Sequence, residues 1–270
     1  HMTKTRRLIE ADLKMVDAVV EITDARIPES SRNPILDELV KDKPRIILMN
    51  KCDYADEAAT RAWKQYYEKK GIRVLTCDCR SGKGLNAFLP EVKRLLAELI
   101  ERRKKRGMIG KALRLMVVGI PNVGKSSFIN RMAKTKKTKV GDKPGVTRGK
   151  QWVSIDKDVE LLDMPGILWP KFDDQLAAQR LAFTGAIKDD VMDTEALARA
   201  LGAVLKEQYQ ELLNARYKLT GDEDILRDIA KSRGMLVSGG EPDTERAAAA
   251  LLDEYRGGKI GRITLEKPGR

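Results

Sequence analysis

Cysteine is scarce in this 270-residue chain. Cys52, Cys77 and Cys79 make an odd, sparse set, which argues against a disulfide scaffold. Histidine is scarcer: His1 stands alone, so the close pair Cys77 and Cys79 has no second Cys or His pair to complete a zinc site. Aromatic residues make up 5%. No apolar run approaches the ~20 residues needed to span a bilayer. No secretory signal is visible at the start. Acid is in deficit, with 40 Asp and Glu against 52 Lys and Arg, a net charge of +12. What is present is a 42% apolar fraction, too high for a disordered chain and enough for a sizeable core. The basic excess suits a polyanionic partner, either nucleic acid or a phosphorylated ligand, although solubility alone accounts for it equally well. A reducing, cytoplasmic setting is expected.

Short apolar, β-branched runs at 16–23, 45–49, 73–76, 113–118 and 160–162 read as strands. Helical patterns lie between them, for example at 55–70 and 85–105. Such alternation predicts an α/β fold with a mostly parallel sheet. Near residue 170 the texture changes. Leu176, Leu181, Ala182 and Phe183 begin a helical series that continues at 194–213, 222–233 and 244–255. We expect a first domain over 1–173 and a small all-α domain over 174–270.

Gly119-Ile-Pro-Asn-Val-Gly-Lys-Ser126 fits GxxxxGK[ST]. It follows the strand at 113–118 and opens a helix at Lys125, the context this phosphate-binding loop requires. Glycines let the loop wind so that backbone N–H groups face the phosphates. Asn122, Val123, Gly124, Lys125, Ser126 and Ser127 are the expected contacts. Lys125 reaches the β- and γ-phosphates, and the Ser126 hydroxyl ligates Mg²⁺. Asp163-Met-Pro-Gly166 fits DxxG, thirty-seven residues after Ser126 and just past a strand. Asp163 would hold Mg²⁺ through water, and the Gly166 N–H would sense the γ-phosphate. Thr147, between the two motifs, suits a loop threonine that binds Mg²⁺ and γ-phosphate together.

Asn50-Lys51-Cys52-Asp53 is NKxD at the end of another apolar strand. The Asp53 carboxylate can accept from guanine N1–H and N2–H₂. Adenine offers neither donor and would leave the carboxylate unpaired. Asn50 and Lys51 complete this base site, with the Lys51 stem along the base plane. NKCD therefore argues against an ATP-dependent kinase and for GTP and GDP. The motif order is unusual, because NKxD precedes the phosphate loop instead of following DxxG. Cutting a compact domain at another loop gives this order without changing the site. The sequence reads as a circularly permuted P-loop GTPase domain whose DxxG loop leads directly into the helical domain.

The chain resembles the bacterial ribosome biogenesis GTPase A family, the YlqF/RbgA-type circularly permuted GTPases. The stretches that carry the likeness are DARIPESSRNP (24–34), NKCD, GIPNVGKSS, PGVTRG, DMPGILWPKF (163–172) and GKIGRITLE (258–266). The resemblance implies a GTPase that assists late assembly of the large ribosomal subunit and contacts rRNA through its helical domain. It points to no obligate protein partner. An RNA-binding chaperone gated by nucleotide, or another RNA-processing GTPase, is the alternative. Ile167, directly after DxxG, cannot orient the attacking water, so turnover alone is expected to be slow. Some GTPases with an apolar residue there use K⁺ held partly by an Asn in the phosphate loop, and Asn122 matches that position; a plain loop hydrogen bond is the other reading. The family carries a catalytic histidine before Met-x-Lys, which His1-Met2-Thr3-Lys4 continues. His-Met is also what cloning commonly leaves, but we expect a native His1 with further residues ahead of it. The base-contacting loop before Gly82-Lys83-Gly84 departs from the usual Ser-Ala-Lys, with Asp78, Cys79 and Arg80 in its place, and a backbone N–H at Cys79 or Arg80 is expected to meet guanine O6.

The charge is uneven. Residues 1–171 carry +15 and residues 172–270 carry −3. The basic runs 102–106 (RRKKR) and 134–139 (KTKKTK) are expected to make general phosphate contacts. Within the helical domain, a local face around Arg256, Lys259 and Arg262 would have to serve for rRNA.

Overall fold

A computed structural model describes residues 2–40, 42–133, 151–166, 174–188 and 193–269. Six strands, β1 (Ala18–Asp24), β2 (Arg45–Asn50), β3 (Arg73–Thr76), β4 (Leu113–Gly119), β5 (Trp152–Asp156) and β6 (Val159–Asp163), form one sheet in the order β3-β2-β1-β4-β6-β5. Every neighbouring pair is parallel except the β5–β6 hairpin. All residues of β1 are buried, as a strand covered on both faces requires. On one face Ala18, Val20 and Ile22 pack with Phe88 and Val92 of α4 (Phe88–Leu95) and Phe128 of α6 (Lys125–Ala133). The Phe88 and Phe128 rings meet edge to face at 5.1 Å. On the other face, Val19 and Met116 pack with Ile9 and Leu13 of α1 (Met2–Leu13), and Ile47 and Met49 pack with Trp63 and Tyr67 of α3 (Glu57–Lys69).

Five parallel strands place five carboxyl ends on one edge of the sheet. The register pairs Asp24 with Asn50, Met49 with Thr76, Ile22 with Gly119 and Val117 with Asp163. Motifs far apart in the chain converge there, as ligands do in open α/β sheets. The fold is the expected circularly permuted P-loop arrangement, with NKCD after β2 and the phosphate loop after β4.

Several elements differ from the sequence expectation. Helix α1 has a weak sequence signal, because among its described side chains the apolar ones buried in the core are Ile9 and Leu13, four residues apart. Edge strand β5 lies outside the strands expected from sequence; most of its residues are half-buried, so its pattern is weak. The stretch 85–105 is a 3₁₀ turn (Leu85–Ala87), α4 and α5 (Ala97–Lys105), broken at Leu96. A short helix, α2 (Leu36–Leu39), lies between β1 and β2.

Beyond the sheet lie α7 (Gln175–Phe183), α8 (Thr194–Gln208), α9 (Gln210–Tyr217), α10 (Ile225–Ser232) and α11 (Thr244–Arg256). The expected helix 194–213 is two helices, because Tyr209 leaves the helical conformation at φ −137°. Its hydroxyl lies 3.0 Å from both the Asp56 carboxylate and the Thr264 carbonyl, which share its one proton. Aspartates cap these helices: Asp174 caps α7, Asp193 caps α8, Asp224 caps α10 and Asp243 caps α11, each accepting from a backbone N–H of the first turn. After α11 the chain returns to the sheet. The tail is anchored by Leu265 N–H donating to the Arg26 carbonyl (2.8 Å) and Trp63 Nε1–H donating to the Glu266 carbonyl (2.9 Å). The Glu266 carboxylate accepts from the N–H groups of Glu29 and Ser30, from the Ser30 hydroxyl and from Arg180. No helix of the described residues is long and apolar enough to cross a membrane.

Candidate nucleotide site

The phosphate loop leaves β4 at Gly119 and enters α6 at Lys125. Two of its residues take positive φ, Asn122 at 67° and Gly124 at 103°. Glycine is required at the second, because a Cβ there would overlap Asn50 Nδ2. The Val123 side chain is buried, while its carbonyl faces β2 and accepts from Asn50 Nδ2 at 2.7 Å. Ser126 and Ser127 lie in the first turn of α6, where unpaired N–H groups and the helix dipole favour anions.

Asn50 joins three motifs. Its amide donates to the phosphate loop, and its Oδ1 accepts from Cys79 N–H at 2.8 Å. It is 3% exposed, so both bonds form away from water, where they are worth most. The N–H of Cys79 is therefore committed to Asn50, against the expectation that it could serve guanine. The Arg80 N–H donates to the Asp78 carboxylate at 3.1 Å. Arg131 of α6 holds this loop from the other side, donating to the carbonyls of Cys79 and Arg80. Neither Arg131 nor Asp78 carries a motif that announces the role.

Lys51 has φ 62°, turning the chain sharply after β2. Its ammonium donates to the Asn122 carbonyl at 2.8 Å and lies 3.7 Å from Asp24. Burial pushes it below the ordinary lysine value, with Asp24 opposing the shift. Asp53 follows in a 3₁₀ turn (Cys52–Tyr54), partly exposed and open to a ligand, with Lys83 Nζ 2.9 Å away. Bonding to Asp53 raises the Lys83 ammonium above its usual range.

On the phosphate side Lys125 pairs with Asp163 at the end of β6. Gly166 lies beside the loop, its Cβ position 3.7 Å from the Gly119 carbonyl oxygen. The Asn122 amide does not stand free: Nδ2 donates to the Gly185 carbonyl just beyond α7 at 2.9 Å. Lys125, Asp163, Gly166, Asn122 and the base motif are thus neighbours around one strand edge. His1, Thr147 and Ile167, and the basic run 134–139, lie outside the described residues.

Two of the three residues expected to form an rRNA face have other partners. Arg256 donates to the carbonyls of Phe183 and Ala182, satisfying the end of α7. Arg262 donates to the carbonyls of Cys52 and Ala55. Lys259 is exposed. The alternation of polar Arg262, Thr264 and Glu266 with apolar Ile263 and Leu265 signals an extended tail, but not where it docks.

A family model described as "50S ribosome-binding GTPase" matches residues 114–221. It begins in β4 and includes the phosphate loop and DMPG, leaving NKCD ahead of it. Ribosome biogenesis GTPase A of Bacillus licheniformis is 47% identical over 275 residues, covering 99% of this chain and 96% of that protein. Among solved structures, a GDP-bound TM YlqF superposes with a TM-score of 0.72 at 28% identity, covering 97% of this chain and 100% of that one. A GNP-bound YlqF from T. maritima gives 0.66 at 29% identity, covering 98% and 99%.

Proposed function

The chain belongs to the ribosome biogenesis GTPase A family, a family of GTP hydrolases, and on that footing we propose that it is a cytoplasmic switch in late assembly of the large ribosomal subunit. It engages the precursor particle and its rRNA in the GTP state and leaves after hydrolysis. Its GTPase part spans 1–173 and its helical part 174–270. The observation that carries this reading is the Asn50 bridge, which ties the guanine-reading motif to the phosphate loop and to the loop of Cys79 in one buried set of bonds.

The chemistry follows from the arrangement. Water attacks the γ-phosphorus, the bond to the β–γ bridging oxygen breaks, and negative charge gathers on the leaving diphosphate. Lys125 and the N–H groups of Gly124, Ser126 and Ser127 surround that charge with fixed donors. Lys125 is then exchanged from Asp163 to the phosphates. Oxygen donors suit Mg²⁺: the Ser126 hydroxyl and Thr147 would hold it directly and the Asp163 carboxylate through water. When bound, that ion would supply stabilisation of the charge on the phosphates. Gly166 senses the γ-phosphate through its N–H. Asp53 reads guanine N1–H and N2–H₂, and Arg80 N–H, which is exchanged from the half-buried Asp78 carboxylate, is the donor for O6. Asn122 Oδ1 would help to hold K⁺, its Nδ2 being bonded to the Gly185 carbonyl. Ile167 cannot orient water, so His1 or the ribosomal particle completes the site and turnover alone is slow.

The test compares GTP and ATP hydrolysis alone and with large or small ribosomal subunits. GTP hydrolysis stimulated at least about tenfold by large subunits, with ATP inert, is the expected result. Turnover indifferent to large subunits, with RNA binding still gated by nucleotide, would make the protein a chaperone instead.

A further inference from the structure

The turn that carries Asp53 is bonded at its start to the end of β3, where Cys52 N–H donates to the Cys77 carbonyl at 3.0 Å, and along its outer side to the far end of the chain. Arg262 Nη2 donates to the Cys52 carbonyl at 2.9 Å, and Arg262 Nε to the Ala55 carbonyl at 2.8 Å. Ile263 N–H donates to the Tyr54 carbonyl at 2.9 Å. Asp56 N–H donates to Thr264 Oγ1 at 3.0 Å, and Tyr209 OH reaches the Asp56 carboxylate. The tail also presses on the turn: a Cβ at Gly258 would sit 2.6 Å from the Tyr54 ring. More than 200 residues of chain separate Arg262 from the two carbonyls it holds.

We propose that Arg262 is a positioning residue for Asp53, so that the C-terminal tail is a working part of guanine recognition. The inference rests on the reading of Asp53 as the group that accepts from guanine. A carboxylate that must meet N1–H and N2–H₂ together needs a fixed backbone beneath it. Among the described residues the Asp53 side chain itself is braced by Lys83, an exposed and rotatable partner, and by a weak contact of 3.9 Å from the Cys52 thiol. The guanidinium fork spans two carbonyls of the turn, a geometry Lys cannot copy. Removing it leaves the Ala55 carbonyl to water and the Cys52 carbonyl with its bond from Ala55 N–H alone, and Asp53 samples more orientations. The loss falls on the second base contact, and so on the 2-amino group. By reciprocity, a guanine nucleotide that orders the turn also favours the docked tail.

The test is titration of GTP and ITP, which lacks the 2-amino group, against the full chain with wild-type sequence, Arg262→Ala and Arg262→Lys. In Arg262→Ala the GTP:ITP affinity ratio should fall about tenfold, the worth of one well-placed bond to a charged group, with Arg262→Lys in between. A ratio equal to wild type in folded Arg262→Ala overturns the proposal, whether both nucleotides weaken together or neither does. Should that variant not fold, a wild-type ratio in Arg262→Lys overturns it. Asp53→Asn separates the two levels. An amide can accept from N1–H and donate to a 2-oxo group, so this variant should turn from GTP toward XTP. If it does not, the reading of Asp53 fails, whatever Arg262 does.

Discussion

Arg26 is 1% exposed, an unusual place for a guanidinium. It holds Asp24 with two side-chain bonds, Nε at 3.0 Å and Nη2 at 2.8 Å, and donates to the Arg256 carbonyl at 3.1 Å. The rings of Tyr54 and Tyr255 flank it at 5.8 and 5.4 Å. One side chain thus touches the end of β1, the base turn and the end of α11. Burial pushes the Asp24 carboxyl up, but Arg26 outweighs it and leaves the group below the ordinary carboxylate value. A depressed carboxylate stabilises the fold above its unfolded pKa of about 3.9, and that contribution is lost as pH falls further through the folded value. Asp24→Asn strands a buried cation, so urea unfolding at neutral pH should show a loss of about 3–5 kcal/mol. The variant should also lack the part of the acid-side slope, below about pH 4, that the wild type owes to Asp24. The DARIP stretch was visible in the sequence as a family likeness. Its job was not, because Arg256 and Tyr255 lie about 230 residues away.

At the scale of elements, motifs whose physics is local were legible. The phosphate loop needs a strand, glycines at the tight positions and a helix start, all within one short segment, and β4, Gly124 and α6 supply them. NKCD was legible for the same reason. Breaks set by distant partners were not: Tyr209 splits α8 from α9 while bonding Asp56 and Thr264. The loop after β3 shows the same limit. Its residues depart from the usual pattern, yet its shape is enforced by Gly84 at φ 83°, where a Cβ would overlap the Thr76 carbonyl oxygen. Gly84→Ala should therefore cost at least about 1–3 kcal/mol by calorimetry, and weaken GTP because Cys79 and Lys83 sit on that loop.

For the whole molecule, charge and connectivity decide the behaviour. The positive excess lies in residues 1–171, and the helical part is slightly acidic. Within 102–106, Arg103 pairs with Asp17 at 2.9 Å, while Arg102, Lys104, Lys105 and Arg106 face solvent. Replacing those four with Gln should flatten the salt dependence of particle binding, by about 0.7–0.9 in log–log slope for each phosphate no longer neutralised. The helical part does not hang from the DxxG loop alone. Glu266, Arg262, Arg256 and Asn122 tie it to the loops after β1, β2 and β4. On the proposed reading, a change at the γ-phosphate meets helices already bonded to the base motif and to the phosphate loop, a contact of the kind that switching transitions rearrange. Co-sedimentation with large-subunit precursors, with a non-hydrolysable GTP analogue or with GDP, tests this most directly. Retention with the analogue and release with GDP is expected, and equal retention in both states would contradict it.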